Sequence, residues 1–248
     1  MEGQFSRTEL LLGKKGMEKL KKSKVAVFGI GGVGSFAAEA LVRSGIGNIV
    51  LIDYDIIDAS NLNRQIHATL KTIGLKKVEA MKERLLEINP LCNVTTINEC
   101  YTDENKDRLL NSDYSYIVDA IDMVSSKISL IENSKLLNIP IISCMGAGNK
   151  LNPTMLQVGD IYKTDTCPLA KTLRKELRKR GIKSLKVVWS KEKPIKVNLE
   201  KEGVRKAVPG SVSLVPSVAG LILASEVIKD LVFGGDPYGT GGICTQDF

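Results

Sequence analysis

Short apolar runs, each leading into a stretch with helical spacing, repeat along the first 145 or so residues of this chain. Val25-Ala26-Val27-Phe28 is too compact for a helix and rich in branched residues, as a buried parallel strand requires. It runs into a glycine loop. Residues 35–43 then place Phe36, Ala37, Ala40 and Leu41 at helical intervals and stop at Gly45 and Gly47. A second buried strand follows over 48–53. Strand, glycine loop, helix and strand within about 30 residues make a βαβ unit. The alternation continues with helices predicted over 75–88, 103–110 and 125–137 and strands over 94–97, 116–121 and 139–143. Ahead of it all, residues 4–22 carry Leu10, Leu11, Leu12, Met17 and Leu20 in partial helical spacing and form an N-terminal helical arm. The expected fold is α/β: a Rossmann-like, mainly parallel sheet with helices on both faces.

Beyond Lys150 the rhythm breaks. Residues 169–180 read as a basic helix, 185–190 as a strand, and 217–233 as a helix with Val218, Leu221, Ile222, Ala224 and Ile228 on one face. The glycine-rich tail after Gly234 is expected to be mobile, as are parts of 150–206. The chain therefore divides into a core with its arm, 1–149, and a basic extension, 150–248, that packs on the same domain. The longest apolar stretch, 212–223, is interrupted by Ser213, Pro216, Ser217 and Gly220 and is shorter than the roughly 20 residues needed to span a bilayer. With no basic start and apolar run at its beginning, the chain reads as cytoplasmic and not inserted in a membrane.

Composition narrows the chemistry. At 248 residues and 43% hydrophobic content the chain can fill a core of ordinary size. Five cysteines, at 92, 100, 144, 167 and 244, form no Cys-x-x-Cys pair, which argues against a disulfide framework or a structural zinc site. One histidine, His67, leaves no material for a catalytic triad or a histidine metal centre. The work falls to carboxylates, amines, guanidinium groups and backbone amides. The net charge of +7 is also localised: residues 163–206 hold 15 Lys/Arg and 5 Asp/Glu, a net +10, which leaves −3 for the rest.

The candidate site begins in the glycine loop. Gly29, Gly31 and Gly34, with Gly32 between, fit G-x-G-x-x-G after a strand and at the start of a helix, where backbone amides and the helix end can hold a phosphate. Asp53, at the end of the second strand, can accept from ribose hydroxyls. To this point a nicotinamide cofactor would serve as well. The segment from Asp55 through Asn61 to Arg64-Gln65, and then Lys77, adds two cations beyond the strand end, which suit a triphosphate whose pyrophosphate departs. Asp122, after the strand over 116–121, is placed for a magnesium ion that keeps most of its waters, or it caps the helix starting near Ser125. ATP and magnesium are thus the expected ligands, with neither zinc nor NAD.

In combination, Gly29-x-Gly31-Gly32-x-Gly34, Asp53-x-Asp55, Asn61-x-x-Arg64-Gln65, Lys77 and Asp122 resemble the ubiquitin-activating-enzyme-like adenylyltransferase superfamily over residues 5 to about 148. That resemblance implies attack of a carboxylate on the α-phosphate of ATP, with Asp53 on the ribose, Asn61, Arg64 and Lys77 on the phosphates and Asp122 on the metal. It also implies a homodimer in which Arg7 reaches the neighbouring subunit's nucleotide. Within the superfamily, Phe5-Ser6-Arg7, the strand end Val118-Asp119-Ala120-Ile121-Asp122 and residues 163–181 resemble the branch that dehydrates threonylcarbamoyladenosine in tRNA. In that branch a threonine carboxylate becomes an acyl-adenylate, the adjacent urea-like group closes onto it, and AMP leaves.

The charge of the extension agrees with a polyanionic partner, so Lys171, Arg174, Lys175, Arg178, Lys179 and Arg180 are the candidate tRNA contacts. The other reading is an adenylyltransferase acting on the C-terminal glycine of a ubiquitin-like sulfur carrier, although relatives of that kind usually bear two Cys-x-x-Cys pairs. A tethered nucleophile needs no enzyme thioester. Cys167 is nonetheless the thiol nearest such a role, with Cys92, Cys100 and Cys144 expected to be buried. His67 is expected to pack, and Trp189 to anchor a small satellite core.

Overall fold

The structure, a computed structural model, describes residues 3–196 and 209–234. The expected mobility of the tail after Gly234, and of residues 197–206, lies outside those residues. Within the described residues seven strands form one sheet: β1 (Lys24–Phe28), β2 (Asn48–Ile52), β3 (Asn93–Ile97), β4 (Tyr116–Asp119), β5 (Ile141–Cys144), β6 (Leu156–Asp160) and β7 (Lys186–Ser190). Their order is β3-β2-β1-β4-β5-β7-β6, and every pair is parallel except β6 with β7. The strands predicted from apolar runs are all present. β6 was not foreseen, because Leu156-Gln157-Val158-Gly159-Asp160 is a partly exposed edge strand with little apolar alternation.

Among the described residues seven helices accompany the sheet: α1 (Ser6–Lys22), α2 (Gly34–Arg43), α3 (Lys77–Ile88), α4 (Lys106–Leu109), α5 (Val124–Leu136), α6 (Pro168–Lys179) and α7 (Leu214–Phe233). Successive strand side chains point to opposite faces, and the two cores divide accordingly. Val25, Val27, Ile49, Leu51, Val118 and Ile142 pack with α2, α3 and α7. Ala26, Phe28, Val50, Ile52, Ile117 and Val187 pack with α5 and α6 on the other side. Trp189 belongs to this second main core and not to a satellite, with its indole beneath Gly159 of β6 and Nε1 directed at Asp165 Oδ1, 3.4 Å away. The predicted helix over 103–110 shrinks to the four residues of α4, since only Leu109 and Leu110 at its end are buried.

Two close approaches set the helix positions near the site. At Gly220, α7 crosses the start of α2 so tightly that a Cβ would stand 2.3 Å from the Val33 carbonyl oxygen. At Gly34 a Cβ would stand 1.8 Å from the Gly29 oxygen, so the loop between β1 and α2 closes only around glycine. In the register, Phe28 lies level with Ile52 of β2 and Asp119 of β4. The chain leaves β1 toward β2 on one side and later returns to β4 on the other. The crevice outside β1 and β4 is therefore the switch point where open α/β sheets bind ligands. Among the described residues no helix is long and apolar enough to cross a membrane.

Candidate active site

A cleft of about 670 Å³ opens at that switch point, lined by Gly29, Gly31, Gly32, Asp53, Asp55, Asn61, Arg64, Lys77 and Asp122. Gly34 is behind it, holding the loop closed. Gly29 has φ +88°, and a side chain there would strike the Ala120 carbonyl at 2.7 Å. Nothing stands over the Cα of Gly31, which leaves the loop's backbone open to a ligand.

Asp53 performs a task the motif alone did not reveal. Its Oδ2 accepts from the Ile30 amide at 2.6 Å and its Oδ1 from the Asp55 amide at 2.8 Å, so the end of β2 fixes the glycine loop after β1. Burial pushes its carboxyl above the ordinary value, partly opposed by Lys77. A carboxylate offers about four lone-pair positions, so ribose hydroxyls can still be accepted. Asp55 turns to Lys77 instead, Nζ to Oδ2 at 2.6 Å, and holds that buried ammonium in the cleft. Lys77 is the first residue of α3, and its amide donates to the Asp55 carbonyl as well.

Asn61 and Arg64 follow from one tight turn. Residues Ala59–Asn61 form a single 3-10 turn, capped because Asp58 accepts from the Ser60 amide while Asn61 Oδ1 accepts from the Asp58 amide. Arg64 Nη1 donates to Ser60 O and Asn63 Oδ1, both at 2.9 Å, and its stem covers Gly32. Gln65, buried beside it on the cleft wall, has an Oε1 with no donor among the described residues. His67 is 2% exposed, its ring nitrogens find no partner among the described residues, and burial lowers its pKa to about 4.

Asp122 is exposed at the cleft and makes no ion pair among the described residues. It does not cap the next helix: α5 begins at Val124 with Met123 as its cap residue and has no side-chain cap. Below it lies a feature that sequence reading passed over. Asp119 and Lys127 are fully buried and paired, Nζ to Oδ2 at 2.8 Å, while Ser143 Oγ donates to the same oxygen at 2.6 Å and the Ile121 amide to Oδ1 at 3.1 Å. This cluster ties β4, β5 and α5 together beneath the turn that carries Asp122. The visible signal was a charged residue ending an otherwise apolar strand.

The far wall comes from the loop after β5 and the start of α6, and includes Met145, Lys150, Cys167 and Leu169. Asn149, held at φ +57°, clasps Gly210 through two hydrogen bonds of 2.6 and 2.7 Å. Cys92, Cys144 and Cys167 are buried. Cys100 is only half-buried and faces the cleft, contrary to expectation, because it lies in the polar loop that follows β3.

A family model described as ThiF family matches residues 5–241. The chain belongs to the ThiF family. It is 48% identical over 243 residues to the tRNA threonylcarbamoyladenosine dehydratase of Bacillus subtilis (strain 168), covering 92% of this chain and 94% of that one. It also resembles the structure of E. coli tRNA N6-threonylcarbamoyladenosine dehydratase in complex with ATP, at TM-score 0.85 and 36% identity, covering 95% of this chain and 96% of that chain. The AMP complex of the same E. coli protein gives TM-score 0.84 at 37% identity, covering 92% and 93% of the two chains.

Within this ThiF-family chain, the sequence candidates separate in space. Gly29, Gly31, Gly32, Asp53, Asp55, Asn61, Arg64, Lys77 and Asp122 share one cleft. Arg7 does not join them: it is exposed in the first turn of α1 and is not part of its own chain's cleft wall. The basic positions of α6 also differ among themselves. Arg174 donates to Thr164, Arg180 pairs with Glu176 and Glu132, Lys179 pairs with Glu176, and Arg178 lies 5.1 Å from the Tyr162 ring centre. Lys171 and Lys175 are exposed with no ion pair among the described residues.

Proposed function

We infer that this protein is an ATP-dependent enzyme that dehydrates and cyclises threonylcarbamoyladenosine in tRNA through an acyl-adenylate, releasing AMP and pyrophosphate. The observation that carries the reading is the convergence of a backbone phosphate cradle, two cations and a free carboxylate at one switch point, in a chain so similar over its length to enzymes of that name. The glycine loop and the amino end of α2 receive phosphate. Asp53 accepts from the ribose, and Asn61, Arg64 and Lys77 face the α-phosphate and the departing pyrophosphate, where charge accumulates as the bond breaks. Asp122, unpaired and exposed, would hold magnesium, which takes one or two carboxylates and the substrate's phosphates and supplies charge neutralisation there.

The reaction needs no enzyme thioester. The urea-like group that displaces AMP is already tethered to the acyl group, so orientation does the work of a second nucleophile. Lys171 and Lys175 are the α6 cations best placed to meet tRNA phosphates, with Arg174, Arg178, Lys179 and Arg180 shaping the same basic face. We further infer a cytoplasmic homodimer in which Arg7, exposed and away from its own cleft, reaches the partner's nucleotide. The sulfur-carrier alternative lacks support from the cysteines, which form no Cys-x-x-Cys pair.

The test is incubation with ATP, magnesium and tRNA carrying the modification, followed by nucleoside digestion and weighing. Loss of one water from the modified nucleoside, with AMP formed only when that tRNA is present, is expected. An unchanged nucleoside with AMP release stimulated by a carrier protein would overturn it.

A further inference from the structure

Among the described residues three lysines are almost fully buried: Lys77, Lys127 and Lys150. Lys77 is paired with Asp55 at 2.6 Å and Lys127 with Asp119 at 2.8 Å. Lys150, 3% exposed, has one hydrogen bond, Nζ to the Gly146 carbonyl at 2.5 Å, and no carboxylate partner among the described residues. A buried ammonium without a counter-charge is costly, and it lines the cleft. The same wall includes Cys167, Pro168 and Leu169 at the start of α6, a 12-residue helix whose amino end has no side-chain cap and so presents free amides and positive potential.

The sheet order says what this charge is for. The phosphate cations Arg64 and Lys77 follow β2, on one side of β1. Lys150 follows β5, which is separated from β1 by β4, a displacement of roughly 10 Å at about 4.8 Å per strand. β4 itself leads to Asp122. The β5 side therefore faces the group being activated and not the triphosphate. We propose that Lys150, with the amino end of α6, is the anion site for the acyl group of the substrate, an assignment that rests on the function proposed above.

Lys150 holds one carboxylate oxygen while the other bonds to the α-phosphorus and the bond to pyrophosphate breaks. When the urea-like group bonds to the acyl carbon, the carbonyl electron pair moves onto the oxygen that faces Lys150. Collapse breaks the carbon–oxygen bond to AMP, and the proton lost by the urea-like group goes to solvent.

Lys150→Met, Lys150→Gln and Lys150→Arg in the full chain test this, with ATP affinity and single-turnover AMP formation from modified tRNA measured separately. Lys150→Met is expected to keep ATP affinity within about twofold and to lose roughly 100-fold in AMP formation, as loss of an oxyanion donor does. Lys150→Arg should recover at least a tenth of wild-type turnover, on the order of the charge restored. Lys150→Gln keeps a donor for Gly146 without the charge; it is expected to behave like Lys150→Met and stands in for it if that variant does not fold. Equal losses in ATP affinity and turnover would make Lys150 a phosphate ligand and overturn the assignment, as would turnover within about threefold of wild type in Lys150→Gln. A wild type that makes no AMP from modified tRNA overturns the functional reading itself, an outcome distinct from either of these.

Discussion

Replacing Lys127 by methionine would leave a carboxylate stranded under the active-site turn. Asp119 and Lys127 are both inaccessible to water and stand 2.8 Å apart. Without the ammonium, Asp119 keeps only the Ser143 hydroxyl and the Ile121 amide as donors. Breaking a buried pair by removing one partner costs about 3–5 kcal/mol, a large share of the roughly 5–15 kcal/mol that holds a domain together. With a urea m-value near the upper end of the usual range, about 3 kcal/mol/M, the unfolding midpoint should fall by roughly 1 to 1.7 M. Adding Asp119→Asn to Lys127→Met removes the uncompensated charge, and the double variant is expected to be more stable than Lys127→Met alone. The measurement is equilibrium urea unfolding by circular dichroism. A midpoint shift below roughly 0.3 M for Lys127→Met, or a double variant less stable than the single one, would refute the account of the cluster as a desolvated charge pair.

Three further outcomes are expected. His67 titrates at about 4 in the fold and near 6.5 unfolded, so the unfolded chain binds more protons between those values and stability drops as pH falls through that window. Relative to His67→Leu, wild type should lose about 3 kcal/mol between pH 6.5 and 4, and parallel pH profiles of the two proteins would contradict this. If Arg7 acts across a dimer, Arg7→Ala and Arg64→Ala are each inactive, but refolding them together makes mixed dimers with one intact site, and about a quarter of wild-type activity returns; no recovery would count against the shared site. For tRNA binding, Lys171→Ala with Lys175→Ala should reduce the slope of log affinity against log salt by nearly 2. Lys179→Ala with Arg180→Ala should change that slope less, because Glu176 and Glu132 already neutralise those side chains; equal changes in filter-binding titrations would refute the distinction.

The sheet was legible mainly because its inner parallel strands are buried on both faces and must be nearly continuous apolar runs, as Val25-Ala26-Val27-Phe28 and Ile49-Val50-Leu51-Ile52 are. The same logic hid β6, whose edge position relaxes the requirement for apolar residues. The nucleotide end of the cleft was readable for a related reason: glycines at positions where a Cβ would collide, as at Gly29 and Gly34, leave a fixed pattern in sequence. Lys127 and Lys150 left none, and Asp119 only the trace of a charge ending an apolar strand, because their meaning lies in burial and in the presence or absence of a partner. A lysine in the written sequence is a surface charge until the fold encloses it. The basic face of α6 shows the converse, since a run of cations that looks uniform in sequence separates into paired and unpaired members once its neighbours are placed.

These distinctions bear on how one cleft can serve two chemical steps. The side chains proposed to face phosphate are already held by the protein itself: Asp53 fixes the Ile30 amide, Asp55 fixes Lys77, and Ser60 with Asn63 fixes Arg64. Such preorganisation suits a leaving group whose charge appears at a known place. On the far side of β4 the charge of Lys150 is met by a single carbonyl, and the amino end of α6 is uncapped. That half carries positive potential with no carboxylate beside it among the described residues. On the proposed assignment, this asymmetry gives the acyl side the larger gain from binding its substrate. It follows that loss of a charge-fixing partner on the nucleotide side, as in Asp55→Ala, should weaken ATP binding and turnover together. Loss of charge on the β5 side should spare ATP and slow only the steps that involve the acyl group.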